Sequence, residues 1–115
     1  MWKVIYHGDH FYDFFVTLNP GAQNKFRWTL DLIESMFRIP QQYLKHIEGT
    51  KGLYEIRVEH NSQIYRVFCF FDSGNLVVLI NGFEKKSQET PQREIARAEK
   101  LMKQYFDEKA KRKSR

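Results

Sequence analysis

Leu53-Tyr54-Glu55-Ile56-Arg57-Val58-Glu59, Ile64-Tyr65-Arg66-Val67-Phe68-Cys69-Phe70-Phe71 and Leu76-Val77-Val78-Leu79-Ile80-Asn81-Gly82-Phe83 are three apolar-rich runs, parted by His60-Asn61-Ser62-Gln63 and Asp72-Ser73-Gly74-Asn75. Both connectors have the length and composition of hairpin loops, so the three runs predict an antiparallel meander. The first run alternates, with Tyr54, Ile56 and Val58 inward and Glu55, Arg57 and Glu59 on the other face. The third is apolar on both faces, which predicts a central, covered strand. Arg66 shares its face with Ile64, Phe68 and Phe70. A guanidinium on such a surface loses burial and needs a counter-ion or an anionic ligand, and a phosphate is the obvious candidate.

Outward from the meander, residues 2–7 alternate as a short strand closed by Gly8-Asp9. Asp9 is a good N-cap for a helix with Phe11, Phe14, Phe15 and Leu18 on one face. Asn19, followed by Pro20 at the first helical position, starts a second helix carrying Phe26, Leu30, Ile33 and Phe37 down to Arg38. The short break makes the pair a helical hairpin. Gln41 to Ile47 has room for a turn or two of helix, and Gly49-Thr50-Lys51-Gly52 is a loop. Thr90-Pro91 opens a last helix with Ile95, Ala98, Leu101, Met102 and Tyr105 on one side, fraying into Lys109-Ala110-Lys111-Arg112-Lys113-Ser114-Arg115. The expected fold is therefore α+β: an N-terminal strand, a helical hairpin, a three-stranded antiparallel meander and a C-terminal helix. Residues 1–108 make one domain, and 109–115 a basic, disordered tail.

With 115 residues, 42% apolar and 16% aromatic, the chain suits one globular domain and excludes intrinsic disorder. The single Cys69 excludes an internal disulfide and a cysteine zinc site, and its apolar setting reads as core. No run approaches the length of a membrane span and no signal peptide is evident, which predicts a cytoplasmic protein. Residues 1–50 hold five Lys/Arg against five Asp/Glu, and residues 51–115 fourteen against nine, so the net charge of +5 belongs to the second half. That asymmetry suits a polyanionic partner, though surface solubility accounts for a charge of this size equally well. Trp2, Trp28 and the Phe-rich helices read as core. His7, His10 and His46 lack metal-ligand spacing.

Three strings, Gly52-Leu53-Tyr54-Glu55-Ile56-Arg57, Ile64-Tyr65-Arg66-Val67 and Leu79-Ile80-Asn81-Gly82-Phe83-Glu84-Lys85-Lys86 with Pro91 beyond, resemble the RelE/ParE superfamily of type II toxins, most closely its phage-derived, HigB-like branch. The resemblance implies a metal-independent endoribonuclease without a cofactor. It would cut messenger RNA on the ribosome and be held inactive by a cognate antitoxin protein. The 2′-hydroxyl beside the scissile bond attacks in line, and fixed cations meet the extra charge on phosphorus. By position, Arg57, Arg66, Lys85 and Lys86 are the cationic site. Where some relatives carry a Tyr after the Lys pair this chain has Ser87-Gln88-Glu89-Thr90, so the general base falls to Glu55 or His60. Lys51, Lys109, Lys111, Arg112 and Lys113 are candidates for holding RNA phosphates. Two alternatives share the fold: a gyrase-directed toxin like the ParE members, and an inactive toxin fold kept as a protein-binding module.

Overall fold

A computed structural model describes residues 1–86 and 90–113. The elements follow the order β1 (Lys3–Tyr6), α1 (His10–Phe15), α2 (Pro20–Ser35), β2 (Leu44–His46), β3 (Tyr54–His60), β4 (Gln63–Asp72), β5 (Leu76–Lys85) and α3 (Gln92–Lys113). The strands form one sheet in the order β1-β5-β4-β3-β2, with β1 parallel to β5 and every other pair antiparallel. The meander, the N-terminal strand and the closing helix stand as the sequence predicts.

Four expectations change. The segment Gln41–Ile47 is a turn leading into β2, which pairs Lys45 with Glu55 at the sheet edge. Three residues are too few to show periodicity, and only the neighbouring strand holds them extended. α2 stops at Ser35, so Phe37 lies beyond the helix and is 91% exposed. Trp28, off the Phe26–Leu30–Ile33 stripe, is 50% exposed rather than core. The basic segment from Lys109 is no disordered tail as far as it is described, because α3 runs to Lys113. Ser114 and Arg115 lie outside the described residues.

Helices cover both faces of the sheet. α1 and α2 pack Phe11, Phe26, Leu30 and Ile33 onto Ile56, Val58, Tyr65, Val67, Val77 and Leu79. α3 packs Ala98, Leu101, Ile95, Met102 and Tyr105 onto Phe68, Phe70, Val78 and Ile80. Asn19 caps α2 by accepting a 2.8 Å hydrogen bond from the Ala22 N–H. The outer edge of β1 is blunted by the Glu34 carboxylate, which accepts the Val4 N–H at 2.8 Å.

The pairing of β4 with β5 shifts register between Val67 and Cys69. Cys69 faces Leu79 and Val67 faces Gly82, so Ile80 and Asn81 together oppose Phe68: a β-bulge. Next to it, a Cβ on Gly82 would come within 2.5 Å of the Phe14 ring, which explains a glycine inside a strand. Gly82→Ala should therefore cost about 1–3 kcal/mol by overpacking α1 against β5, read as a lowered midpoint in urea.

At the far end of β4, Asp72 accepts hydrogen bonds from Lys109 Nζ at 2.7 Å and from the Tyr105 hydroxyl at 2.7 Å. Burial alone would raise its pKa. The bonds from Lys109, Tyr105 and the Ser73 N–H outweigh burial and lower it from 3.8 to about 2. A carboxyl whose folded pKa is depressed lends stability that is complete above the unfolded value and vanishes as pH falls through the folded one. The wild type should thus lose about 2 kcal/mol between roughly pH 4 and pH 2 that Asp72→Asn does not lose, measured by thermal melts across that range.

Candidate functional site

Alternation along three neighbouring strands decides the site. Arg57 pairs directly with Arg66, Glu55 with Phe68, Arg66 with Phe83, and Ile64 with Lys85. Residues opposite one another share a face. Glu55, Arg57, Arg66 and Lys85 therefore all stand on the α3 side of the sheet, beyond the start of that helix, where the cover of Phe68 and Ile80 gives out. β2 adds Lys45 opposite Glu55. Sequence reasoning missed Lys45 because it placed the segment in a helix, and the one available signal was the Gly49–Gly52 loop, which suits a hairpin into β3.

Two guanidinium groups side by side repel, and two carboxylates relieve them. Arg66 donates to Glu55 at 2.6 Å in a pair whose side chains are 12% and 10% exposed, and Arg57 donates to Glu59 at 2.8 Å in a pair far more open to water. Among the described residues, the other Glu55 oxygen has only a long contact, 3.5 Å, from the Thr90 hydroxyl. Burial lowers the Arg66 pKa, the charge of Glu55 opposes that shift, and Arg57 adds to it. Burial also lowers the Lys85 ammonium, followed by the charge of Arg66, with Glu55 opposing and Arg57 and Lys45 adding smaller pushes the same way. Among the described residues Lys85 forms no salt bridge, and the buried Arg66 Nε has no acceptor. Four cations thus surround two carboxylates, with one guanidinium donor unmet.

Other candidate residues fall elsewhere. Lys86 is exposed one residue beyond β5. His60 does not join the group. Asn61 and Ser62 both have positive φ, so the hairpin loop is two residues long and His60 belongs to β3. One step of alternation then turns its imidazole to the opposite face, against Gly21 of α2. Lys51 lies in the loop before β3 and lines a groove beside α3 with Glu99, Met102, Lys103 and Phe106. Lys109 is engaged by Asp72, and Lys111, Arg112 and Lys113 occupy the last turn of α3. At 1.5 Å per residue these four stand about 25–30 Å along that helix from its start, too far to hold the same phosphate. No group of three or more His, Cys, Asp or Glu that could hold a metal ion occurs among the described residues. A groove of ≈ 390 Å³ between β1 and the first two helices is walled mostly by Tyr6, Phe11, Tyr12, Phe15 and Leu30, with Arg27 and Asp9 as its charged members.

A family model, "Phage derived protein Gp49-like", matches residues 13–103. The chain belongs to that family. A chain in the crystal structure of an archaeal RelE–RelB complex from Pyrococcus horikoshii OT3 superposes with a TM-score of 0.55 at 16% identity, covering 76% of this chain and 98% of that one. The fold is thus RelE-like, while the HigB-like affinity expected from the strings rests on those strings alone. No curated protein matches the sequence. No helix among the described residues is long and apolar enough to cross a membrane.

The two ion pairs should differ sharply in their contribution to stability. Glu55→Ala strands a buried guanidinium and should cost about 3–5 kcal/mol, whereas Glu59→Ala, breaking an exposed pair, should cost under about 1 kcal/mol, both read from urea denaturation.

Proposed function

We propose that this Gp49-like protein is the toxin of a type II toxin–antitoxin pair, of the HigB-like branch, and that it is a metal-independent endoribonuclease cutting messenger RNA on the ribosome in the cytoplasm. The observation that carries the reading is the gathering of Lys45, Arg57, Arg66 and Lys85 on one sheet face around Glu55. Cations fixed in place before the reaction stabilise charge that appears only in the transition state, and they need no reorganisation when it forms.

The chemistry divides as follows. Oε2 of Glu55, which the Thr90 hydroxyl reaches at 3.5 Å, accepts the proton of the 2′-hydroxyl. The 2′-oxygen attacks phosphorus, the P–O5′ bond breaks, and a 2′,3′-cyclic phosphate and a 5′-hydroxyl remain. Arg57, the more open of the two arginines, meets the non-bridging oxygens, and Arg66, held behind it by Glu55, adds its charge. Lys85, whose ammonium gives up its proton more readily than an exposed lysine because of burial and Arg66, protonates the departing 5′-oxygen. Thr90 borders the same face. The antitoxin is expected to present Asp and Glu to these cations.

A specific observation favours the gyrase-directed reading as well: both arginines already hold carboxylates. Arg66→Ala cannot separate the two, because it buries an unpaired Glu55 and unfolding would mimic inactivity. Arg57→Ala and Lys85→Ala are cleaner, since each leaves the buried pair intact. On induction in a bacterium the wild type should arrest growth with cleaved messages mapped by RNA sequencing. Each variant should lower cleavage of messages by about 10²-fold or more while its melting curve stays cooperative. Growth arrest with intact messages and induced DNA damage would select the gyrase reading.

A further inference from the structure

β2 covers only Tyr54–Ile56 of β3, and the pairing ends where Tyr43 accepts the Arg57 N–H at 3.0 Å. Past that point the edge of β3 faces α2 across a groove of ≈ 310 Å³ lined by Lys25, Thr29, Gln42, Tyr43, Arg57 and Glu59 together with Val58. Trp28 stands at its rim: its ring lies 4.8 Å from Lys25 Nζ and 6.5 Å, edge-on, from the Tyr43 ring. A half-exposed tryptophan braced by a tyrosine and topped by a lysine leaves a large aromatic surface in water beside two cations. Aromatic rings interleaved with cations are what single-stranded nucleic acid binds, its bases stacking and its phosphates paired.

We propose that this groove is a subsite for one nucleotide of single-stranded RNA flanking the cleaved bond, with its base against the Trp28–Tyr43 pair and its phosphate between Lys25 and Arg57. The proposal rests on the ribonuclease reading and extends it, because Arg57 belongs to both the groove and the cation cluster and so fixes the strand's path off the sheet edge. Gln42 offers a donor and an acceptor to a base edge. Glu59, which holds Arg57 in the free protein, sits in an exposed pair that a phosphate can displace at little cost. Lys25 has to leave the face of Trp28 for a base to stack there, and it then stands free to meet the phosphate.

The test uses a Trp2→Phe background, which leaves Trp28 as the sole tryptophan, and a mixed-sequence RNA hexamer with 2′-O-methyl groups that cannot be cut. Binding should quench Trp28 emission. Trp28→Ala should weaken the hexamer's affinity about 5- to 150-fold with partial recovery in Trp28→Phe, and Lys25→Ala should reduce the slope of log affinity against log salt by about one. The hexamer binding with unchanged emission and unchanged affinity in both Trp28 variants would overturn the subsite. Quenching by an acidic Glu/Leu peptide but not by the hexamer would overturn it too, in favour of a protein contact. The two readings part cleanly. Quenching without any message cleavage keeps the subsite and removes the nuclease, whereas cleavage with a silent Trp28 does the reverse.

Discussion

One extra residue in β5 governs which charges meet. Because Ile80 and Asn81 both oppose Phe68, the alternation of β5 changes phase there, and from Gly82 onward every side chain lies on the face opposite to the one simple counting assigns. Phe83 and Lys85 turn toward Arg66, while Glu84 turns to the side of Tyr65. Without the bulge, Glu84 would take the place opposite Ile64 on the face of Arg66, and Lys85 would point at the first two helices. The cationic surface, the close seat of Phe14 on Gly82 and the link from Asn81 to Glu94 of α3 all follow from this insertion.

The surface so formed is balanced rather than simply positive. Arg66 is too enclosed to stay unpaired, so Glu55 neutralises it at short range, and the same carboxylate is what lets Arg57 and Lys85 crowd in beside it. Among the described residues, Asn81 Oδ1 and Arg66 Nε are the two buried side-chain polar atoms left unmet, both on the side facing α3. Such debts are rare in protein interiors and gather where a ligand completes the network.

Much of this was legible in the sequence and some was not. The meander announced itself through alternation and Gly- and Asn-bearing loops, and Arg57, Arg66 and Lys85 were picked out as charges on apolar strands or just past one. Yet strand phase cannot be counted through a bulge, so their common face was unreadable except through the hint of Asn81-Gly82 inside a strand. His60 was misplaced because a four-residue loop and a two-residue loop with extended strands share one composition, and only the positive φ of Asn61 and Ser62 distinguishes them. Lys45 was hidden in a strand too short to carry a period. Trp28 was assigned to the interior on residue type, although its position off the apolar stripe already put it near water. The Lys109 segment looked like a solvated tail because its partner, Asp72, is distant in the chain.

The layout also orders events during synthesis. β1 pairs in parallel with β5, some seventy residues later, and the Phe68–Phe70–Val78–Ile80 surface is roofed chiefly by Gln92–Lys113. A nascent chain lacking that helix would present a bare oily flank, with its first strand waiting for a mate. Native structure is therefore reached late, after nearly all of these residues have emerged, and a translating ribosome carries the growing polypeptide for most of its synthesis in an unfinished form.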